Sequence, residues 1–394
     1  MKTKKLDTSN LETVLTRGVD EIIDRENLAK KLQSGKVLRI KLGIDPTSPN
    51  IHLGRSIPLL KLKDFQDLGH QIVLIIGNFT GLIGDTSDKD SERPMLTEEQ
   101  IKNNLQNYIE QAAKIIDIDK AETYYNGEWL GELKYLDIGL QANEFSINEF
   151  ISRDNIKRRL DAGKRVSLRE VLYPLMQGYD SVKIKADVEI GGTDQRFNLL
   201  AGRDLQRLYG QEPQDILTNP LIEGLDGRKM SSSFGNTVNL FDAPNDMFGK
   251  IMSLKDEFII KYFTLLTRVD LEEIKTYEKE LSAGANPRDM KLKLAHELVR
   301  MYHNAELADA AQEYFIKTIS HKEIPDEVVE FKPSDYNLVA VLAESGLVSS
   351  KSDARRNIDQ GGIKVNGETI KDLNYQVSPG EILQRGKFKF LKIK

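Results

Sequence analysis

Between Val37 and about Leu240, short runs of consecutive apolar residues alternate with longer stretches in which apolar positions return every three or four residues. The runs VLRIKLGI (37–44) and QIVLIIG (71–77) predict strands, and IPLLKLKDFQDL (57–68) predicts the helix between them, which makes one βαβ unit. A third strand is predicted over SVKIKADVEIGG (181–192), with a helix over 195–208. This alternation is the order of a parallel sheet wrapped by helices. From about 245 to 320 the pattern turns helical and amphipathic, as in RDMKLKLAHELVRMYH (288–303). It stops near EIPDEVVEFKPSDYN, and the remaining tail predicts a short helix pair, then turns and strands over VNGETI, VSPGEIL and GKFKFLKI. The chain of 394 residues therefore reads as an α/β domain over 1–240 with an inserted helical segment, an α-helical domain over 241–330 and a small α+β domain over 331–394.

Charge sharpens the last boundary. Residues 332–394 hold 11 Lys or Arg against 7 Asp or Glu, whereas the rest holds 45 against 54. A basic module follows an acidic body, and a solvated surface explains that excess as well as nucleic acid does. The whole-chain net charge of -5 gives no case for a protein that coats nucleic acid, so any such site is local. The absence of cysteine excludes disulfides, Cys-ligated zinc and thiol nucleophiles. His52, His70, His296, His303 and His321 show no metal-motif spacing with carboxylates, so no bound metal is expected. An N-terminus without an apolar signal core and the lack of a membrane-length apolar run predict a cytoplasmic protein.

Two loops carry candidate chemistry. The first, DPTSPNIHLGRS (45–56), follows Gly43, where a ligand can approach the backbone closely, and leads into a helix N-terminus, which suits phosphate. His52 adds a donor there and Arg55 a permanent positive charge. Taken alone, a His in a strand-to-helix loop is more often structural. The second, GRKMSSSFGN (227–236), offers Lys229, Met230 and the hydroxyls of Ser231, Ser232 and Ser233 in a loop able to close over a triphosphate, and alone it is equally a Ser-rich surface loop. An HxG at a helix start with a KMSxS farther along is a rarer event than either alone.

Together these motifs resemble those of the class I aminoacyl-tRNA synthetases: HLGR (52–55) is similar to their HIGH motif and KMSSS (229–233) to their KMSKS motif. GIDPTSPNIHLG, GNFTGLIGDTSDKDSER, YPLMQGYDSV and IGGTDQRFN, in order, narrow the resemblance to the tyrosyl-tRNA synthetases, and the basic tail resembles the RNA-binding module these share with a ribosomal protein. The resemblance covers nearly the whole chain. It implies a Rossmann-type catalytic domain, tyrosine activation with ATP and Mg²⁺ and no tightly bound cofactor, transfer to tRNA(Tyr), and a homodimer. It places Gly43, Asp45, Thr47, His52, Gly54, Gly192, Asp194, Lys229 and Met230 at ATP, with His52, Arg55, Lys229 and Ser232 at the reacting phosphates. Asp85, Tyr173 and Gln177 would hold the tyrosine ammonium, Asp180 would accept the phenolic hydrogen and Gln195 would lie by the carboxylate, with Lys41, Thr80 and Asn126 close by. For RNA it points to Lys351, Arg355, Arg356 and Lys364. In SRDNIKRRLDAGKRVSLRE (152–170), Arg153, Lys157, Arg158, Arg159, Lys164 and Arg165 are candidates for acceptor-stem contact, with a solvated helix face an equal reading.

Three positions depart from the family pattern. Arg55 stands at the second histidine of HIGH, Ser232 at the second lysine of KMSKS, and Lys41 where many members carry a tyrosine beside the substrate phenol. The first two suggest an offset, one fixed charge gained and one mobile charge lost. Rival readings are a tryptophanyl-tRNA synthetase and a synthetase-derived RNA-binding protein without catalysis. A generic Rossmann dehydrogenase fails because no GxGxxG follows the first strand.

Overall fold

The computed structural model describes residues 8–87, 95–320, 328–386 and 389–394. His321, the end of the GNFTGLIGDTSDKDSER segment and part of the stretch between the helical region and the tail lie outside them. The chain forms two compact units, one of Met1–Phe241 with Leu254–Pro287, the other of Asp242–Ser253 with Arg288–Lys394. This partition differs from the expected three parts, because the helical stretch is shared out. Its Ile259–Leu266 helix is tied into the first unit, where Arg17 donates to the carbonyl of Thr264 at 3.2 Å and Tyr262 Oη to that of Glu223 at 2.7 Å.

The first unit is built on a six-stranded sheet: β1 (Glu21–Ile23), β2 (Arg39–Ile44), β3 (Gln71–Ile76), β4 (Glu122–Tyr125), β5 (Val188–Gly192) and β6 (Asp215–Asn219), in the order β1-β6-β5-β2-β3-β4. All neighbours pair in parallel except β1 with β6. Ile72, Val73 and Leu74 of β3 are all fully buried, the near-continuous apolar run that a sheet covered on both faces requires. Strand order runs outward from β2 in both directions, through β3 to β4 and through β5 to β6. That reversal opens a crevice beyond the strand C-termini between β2 and β5, the usual ligand position in such sheets.

Three helices frame the crevice: α1 (Leu53–Asp67), α2 (Leu168–Ile184) and α3 (Arg196–Leu208). The first and third match the expected helices to within a few residues. The expected strand over 181–192 begins as helix. Residues 181–184 are the last turn of α2, started by a Ser167–Glu170 capping box and closed by Lys185 in the left-handed region, and the strand begins at Val188. The apolar alternation of Val182 and Ile184 belongs to a helix buried on more than one side, as the buried Tyr173 and Leu175 also show.

In the second unit, α4 (Pro244–Met252) packs against α6 (Ala305–Phe315), with the Phe248 and Phe315 rings 5.5 Å apart, and α5 (Pro287–Tyr302) lies between them in sequence. The tail begins with β7 (Glu330–Phe331), α7 (Leu338–Glu344) and α8 (Lys351–Asp359), followed by β8 (Ile363–Val365), β9 (Glu368–Thr369), β10 (Ile382–Arg385) and β11 (Lys389–Ile393). Its sheet runs β7-β11-β10-β8-β9, and Leu338, Leu342, Ala354, Ile358, Ile363 and Leu383 form its own apolar core.

Candidate active site

A cavity of about 790 Å³ occupies the crevice. The ends of β2, β3 and β5 form its floor, α1 and α2 its walls, and the 229–234 loop one side of its mouth.

At the α1 end, His52 caps the helix in extended geometry without a capping bond of its own. Burial, then the nearby Arg55 and Lys229 charges, lowers its pKa to about 3, so the ring is neutral. Its buried Nδ1 has no hydrogen-bond partner. The helix N-terminus is less bare than the sequence suggests, since Leu53 N–H donates to the carbonyl of Val238 at 2.8 Å and Gly54 N–H to Met230 Sδ at 3.2 Å. Side chains therefore dominate this end. Arg55 donates to Tyr108 Oη at 2.7 Å and to Thr47 Oγ1 at 2.8 Å. A Cβ on Gly54 would meet the His52 ring at 3.1 Å, which explains the glycine. Gly43 is not in the left-handed region; an added Cβ would meet nothing within 4 Å, so its backbone faces open cavity.

Lys229, in the mouth loop, pairs with Asp194 just past β5 at 2.9 Å. Met230 is buried beneath, and Ser232 is exposed, with its Oγ 3.5 Å from that of Ser48. Asn236 braces the loop, accepting from Ser231 N–H at 2.9 Å and donating to Asp226 at 2.7 Å.

At the opposite end Asp180 lies fully buried on α2 and accepts from Trp129 Nε1 at 2.8 Å and Asn126 Nδ2 at 3.2 Å. Burial raises its pKa to about 7 against the opposing pull of Lys41 and of these two donors. Asn126 also donates to Thr80 Oγ1 at 2.9 Å, Thr80 to Asp45 at 2.7 Å, and Tyr173 Oη to Asp45 at 2.7 Å. Burial and then the Asp45 carboxylate push the Tyr173 phenol well above its ordinary value, keeping it a donor. Gln195 Nε2 donates to Asp85 at 2.6 Å, and Asn198 Nδ2 reaches both Gln195 Oε1 and Gln177 Oε1. The chamber is thus lined by the buried acid Asp180, by Asp45 and Asp85, and by the amides of Asn126, Gln177 and Gln195.

The structure thus brings the expected residues to one cavity, with one exception. Lys41 does not line it. Its side chain leaves β2 behind the wall and pairs with Glu189 of β5 at 2.8 Å, both fully buried. An ammonium at that depth needs a counter-ion, and Glu189 stands directly opposite in the register. Sequence reasoning missed Trp129, Asn198, Glu189, Tyr108 and Gly77. Only Gly77 carried a local signal, a glycine closing a strand, and a Cβ there would lie 1.9 Å from Asp45 Oδ1.

The basic stretch after Ser152 is divided. Arg159 is buried and bidentate with Glu170, at 2.5 and 3.1 Å, so it is no free RNA contact. Arg153 is half-buried and stacks over the Phe197 ring at 4.8 Å. Lys157, Arg158, Lys164 and Arg165 are exposed. In the tail Lys351, Arg355, Arg356 and Lys364 are all exposed, with Arg356 tied to Asp353 at 2.5 Å.

Comparison with known proteins identifies the family. The family model for class I tRNA synthetases (W and Y) matches residues 33–320, and that for the S4 domain matches 337–383. The chain is 47% identical over 386 residues to a tyrosine–tRNA ligase of Thermotoga maritima, covering 96% of each, and 43% identical over 391 residues to one of Haemophilus influenzae, covering 98% of each. In fold it is similar to a tyrosyl-tRNA synthetase from Archaeoglobus fulgidus complexed with L-tyrosine, with TM-score 0.62 and 24% identity over 77% of this chain and 99% of that one. Among the described residues no helix is long and apolar enough to cross a membrane. The W and Y match leaves two amino acids open, the relatives decide between them, and the chain belongs to the tyrosyl-tRNA synthetases of class I.

Proposed function

We propose that this chain activates L-tyrosine with ATP, forming tyrosyl adenylate and pyrophosphate, and then transfers tyrosine to the 3′ end of tRNA(Tyr) in the cytoplasm. The observation that carries the residue assignments is Asp180, a buried carboxylate lining the same cavity as His52, Arg55 and Lys229. A substrate with a phenol at one end and a carboxylate meeting a triphosphate at the other fits that polarity. Asp180 accepts the phenolic hydrogen. Asp85, Tyr173 and Gln177 receive the ammonium, and Gln195 lies by the carboxylate.

The tyrosine carboxylate attacks the α-phosphorus of ATP in line, the α–β bridging bond breaks and pyrophosphate leaves. No protein nucleophile takes part. Catalysis rests on alignment and on charge placed where the pyrophosphate departs. Neutral His52 donates a hydrogen bond, Arg55 holds a fixed charge braced by Thr47 and Tyr108, Lys229 moves from Asp194 to the phosphates, and Asp194 and Gly192 bind ribose. Mg²⁺ would accompany ATP as part of the substrate, bound largely through phosphate oxygens and water. The terminal ribose hydroxyl of tRNA then attacks the adenylate carbonyl and AMP leaves. Assembly as a homodimer is supported by the exposed apolar side chains of Tyr135, Leu136 and Leu140 on one short helix of the first unit.

Exchange of labelled pyrophosphate into ATP without tRNA tests the first step. Exchange with tyrosine and not with phenylalanine or tryptophan is expected; none with any of the three, from folded protein that binds tRNA, would leave only the non-catalytic RNA-binding reading.

A further inference from the structure

Lys41 and Glu189 sit at the topological switch point of the sheet, register partners on β2 and β5, so their side chains leave the same face together. The Lys41 ammonium reaches Glu189 Oε1 at 2.8 Å, donates to the Gln177 carbonyl at 2.9 Å and to Ser181 Oγ at 2.7 Å, which employs all three of its N–H groups. Glu189 also accepts from Ser181 Oγ at 2.9 Å, Gln177 Nε2 at 3.2 Å and Gln214 Nε2. A buried pair of this kind is often no more stabilising than apolar side chains of equal volume. Stability alone does not explain it.

Its contacts converge on a turn of α2 that faces the cavity. Gln177 is held at three points: its carbonyl by Lys41, its Nε2 by Glu189 and its Oε1 by Asn198 Nδ2 at 3.1 Å. Turned over, the amide would set its oxygen against the Glu189 carboxylate and its NH₂ beside Asn198 Nδ2, unfavourable at both ends. Three residues on, Asp180 faces Lys41 from β2, Glu189 from β5 and Tyr173 on its own helix, with Asn126 and Trp129 as neutral donors. Lys41 is the cation that favours its ionised form, and its influence exceeds the opposing one of Glu189.

We infer that the Lys41–Glu189 pair is a positioning device for tyrosine recognition, which sets the Gln177 amide with its oxygen toward the substrate ammonium and presents Asp180 to the phenol as a carboxylate. The inference rests on the tyrosine-activating reading above. Neither partner touches the substrate, and the pair acts through Gln177 and Asp180.

Lys41→Met alone strands the Glu189 charge in the interior and endangers folding. The test therefore uses the double variant Lys41→Met with Glu189→Leu in the full chain, folding checked by thermal unfolding, and tyrosine-dependent pyrophosphate exchange measured from pH 6 to 9. The expected result is a KM for tyrosine raised about tenfold or more at pH 8, the loss of one hydrogen-bonded charge arrangement, with KM for ATP unchanged within about twofold. The acid limb of kcat/KM for tyrosine should move up, because the Asp180 carboxyl loses a cation whose influence exceeds that of the Glu189 anion lost with it. A folded double variant with an unchanged tyrosine KM and acid limb would overturn the inference, and so would equal rises in both KM values, which mark general loosening. Absence of exchange in the unaltered protein would instead remove the functional reading, and this inference with it.

Discussion

Arg55 Nη1 donates to Tyr108 Oη at 2.7 Å, while its Nη2 donates to Thr47 Oγ1 at 2.8 Å. The guanidinium that replaces the family's second histidine is thus fixed at two points beside the cavity. Tyr108 is buried and cannot easily follow a displaced partner. Arg55→Ala should lower the rate of tyrosyl adenylate formation by more than about tenfold, as loss of a charge placed for the transition state does, with little change in tyrosine affinity. Arg55→Lys should restore only part of it, because one ammonium cannot hold two divergent acceptors in the planar fork. Single-turnover adenylate formation reads both variants. A rate unchanged in Arg55→Ala would sink the idea that this charge offsets the missing one at Ser232.

Lys229 pairs with Asp194 at 2.9 Å, and both side chains are part-exposed. The pair must open if each is to reach ATP, so it competes with binding. Asp194→Ala should raise KM for ATP, and Lys229→Ala should lower kcat by about 10²-fold, the size of one lost transition-state donor, with tyrosine binding intact in both. Equilibrium dialysis with tyrosine and exchange kinetics against ATP separate the effects. An Asp194→Ala variant with tighter ATP binding would mean that the carboxylate serves only to park Lys229.

Asp180 and His52 titrate in opposite senses. Below about pH 7 Asp180 gains a proton and no longer accepts the phenolic hydrogen; His52, lowered to about 3, stays neutral through that range. The acid limb near pH 7 should therefore appear in kcat/KM for tyrosine and be absent from KM for ATP. Linkage gives a second sign: with its folded pKa raised, Asp180 withdraws stability as pH rises from 3.8 toward 7, whereas His52 withdraws it as pH falls from 6.5 toward 3. Asp180→Asn should abolish the limb and collapse the preference for tyrosine over phenylalanine. A preference left intact would remove Asp180 from the phenol.

A Cβ at residue 77 would lie 1.9 Å from Asp45 Oδ1 and 2.3 Å from Thr80 Oγ1. Those two atoms belong to the chain Tyr173–Asp45–Thr80–Asn126–Asp180 that lines the chamber. Gly77→Ala should leave the protein folded and lower kcat/KM for tyrosine by about tenfold or more, on the scale of a broken charged hydrogen bond. Wild-type kinetics in this variant, read by the same exchange assay, would show that the chain carries no weight in substrate binding.

What the sequence made legible is local or motif-borne. The two flanking strands and α1 follow from contiguous apolar patterning, and His52, Asp180 and Lys229 from motifs that keep their spacing. What escaped depends on partners far along the chain. Trp129 is 51 residues from the Asp180 it supports, and Lys41 is 148 residues from Glu189. A lysine in a strand reads as a surface residue, or as a substrate contact by motif position, until the facing strand is known to bring a carboxylate into register. Residues 181–184 were misleading for a related reason: a helix covering a sheet buries enough of its last turn for Val182 and Ile184 to imitate strand alternation. Arg159 shows the same limit, since nothing near it in sequence distinguishes it from exposed Arg158 except its geometry to Glu170.

In the tail, Lys351 and Arg355 stand one turn apart on α8, both exposed, while the neighbouring Arg356 is tied to Asp353 at 2.5 Å. Charges i and i+4 on a helix share a face, so the first two present a joint positive surface and the third is partly engaged. If that surface meets tRNA phosphates, Lys351→Glu with Arg355→Glu should weaken tRNA binding by about tenfold or more and flatten the salt dependence by about two phosphate contacts. Arg356→Ala alone should do less, because its charge is already offset. Tyrosine-dependent exchange without tRNA should be unaffected in both variants, since adenylate formation uses none of these residues. Filter binding of tRNA from 50 to about 300 mM salt reads the slope directly. Unchanged affinity and slope in the double variant would move the RNA contact off α8 and leave exposed Lys364 on β8, or Lys157 and Arg158 of the first unit, to supply it.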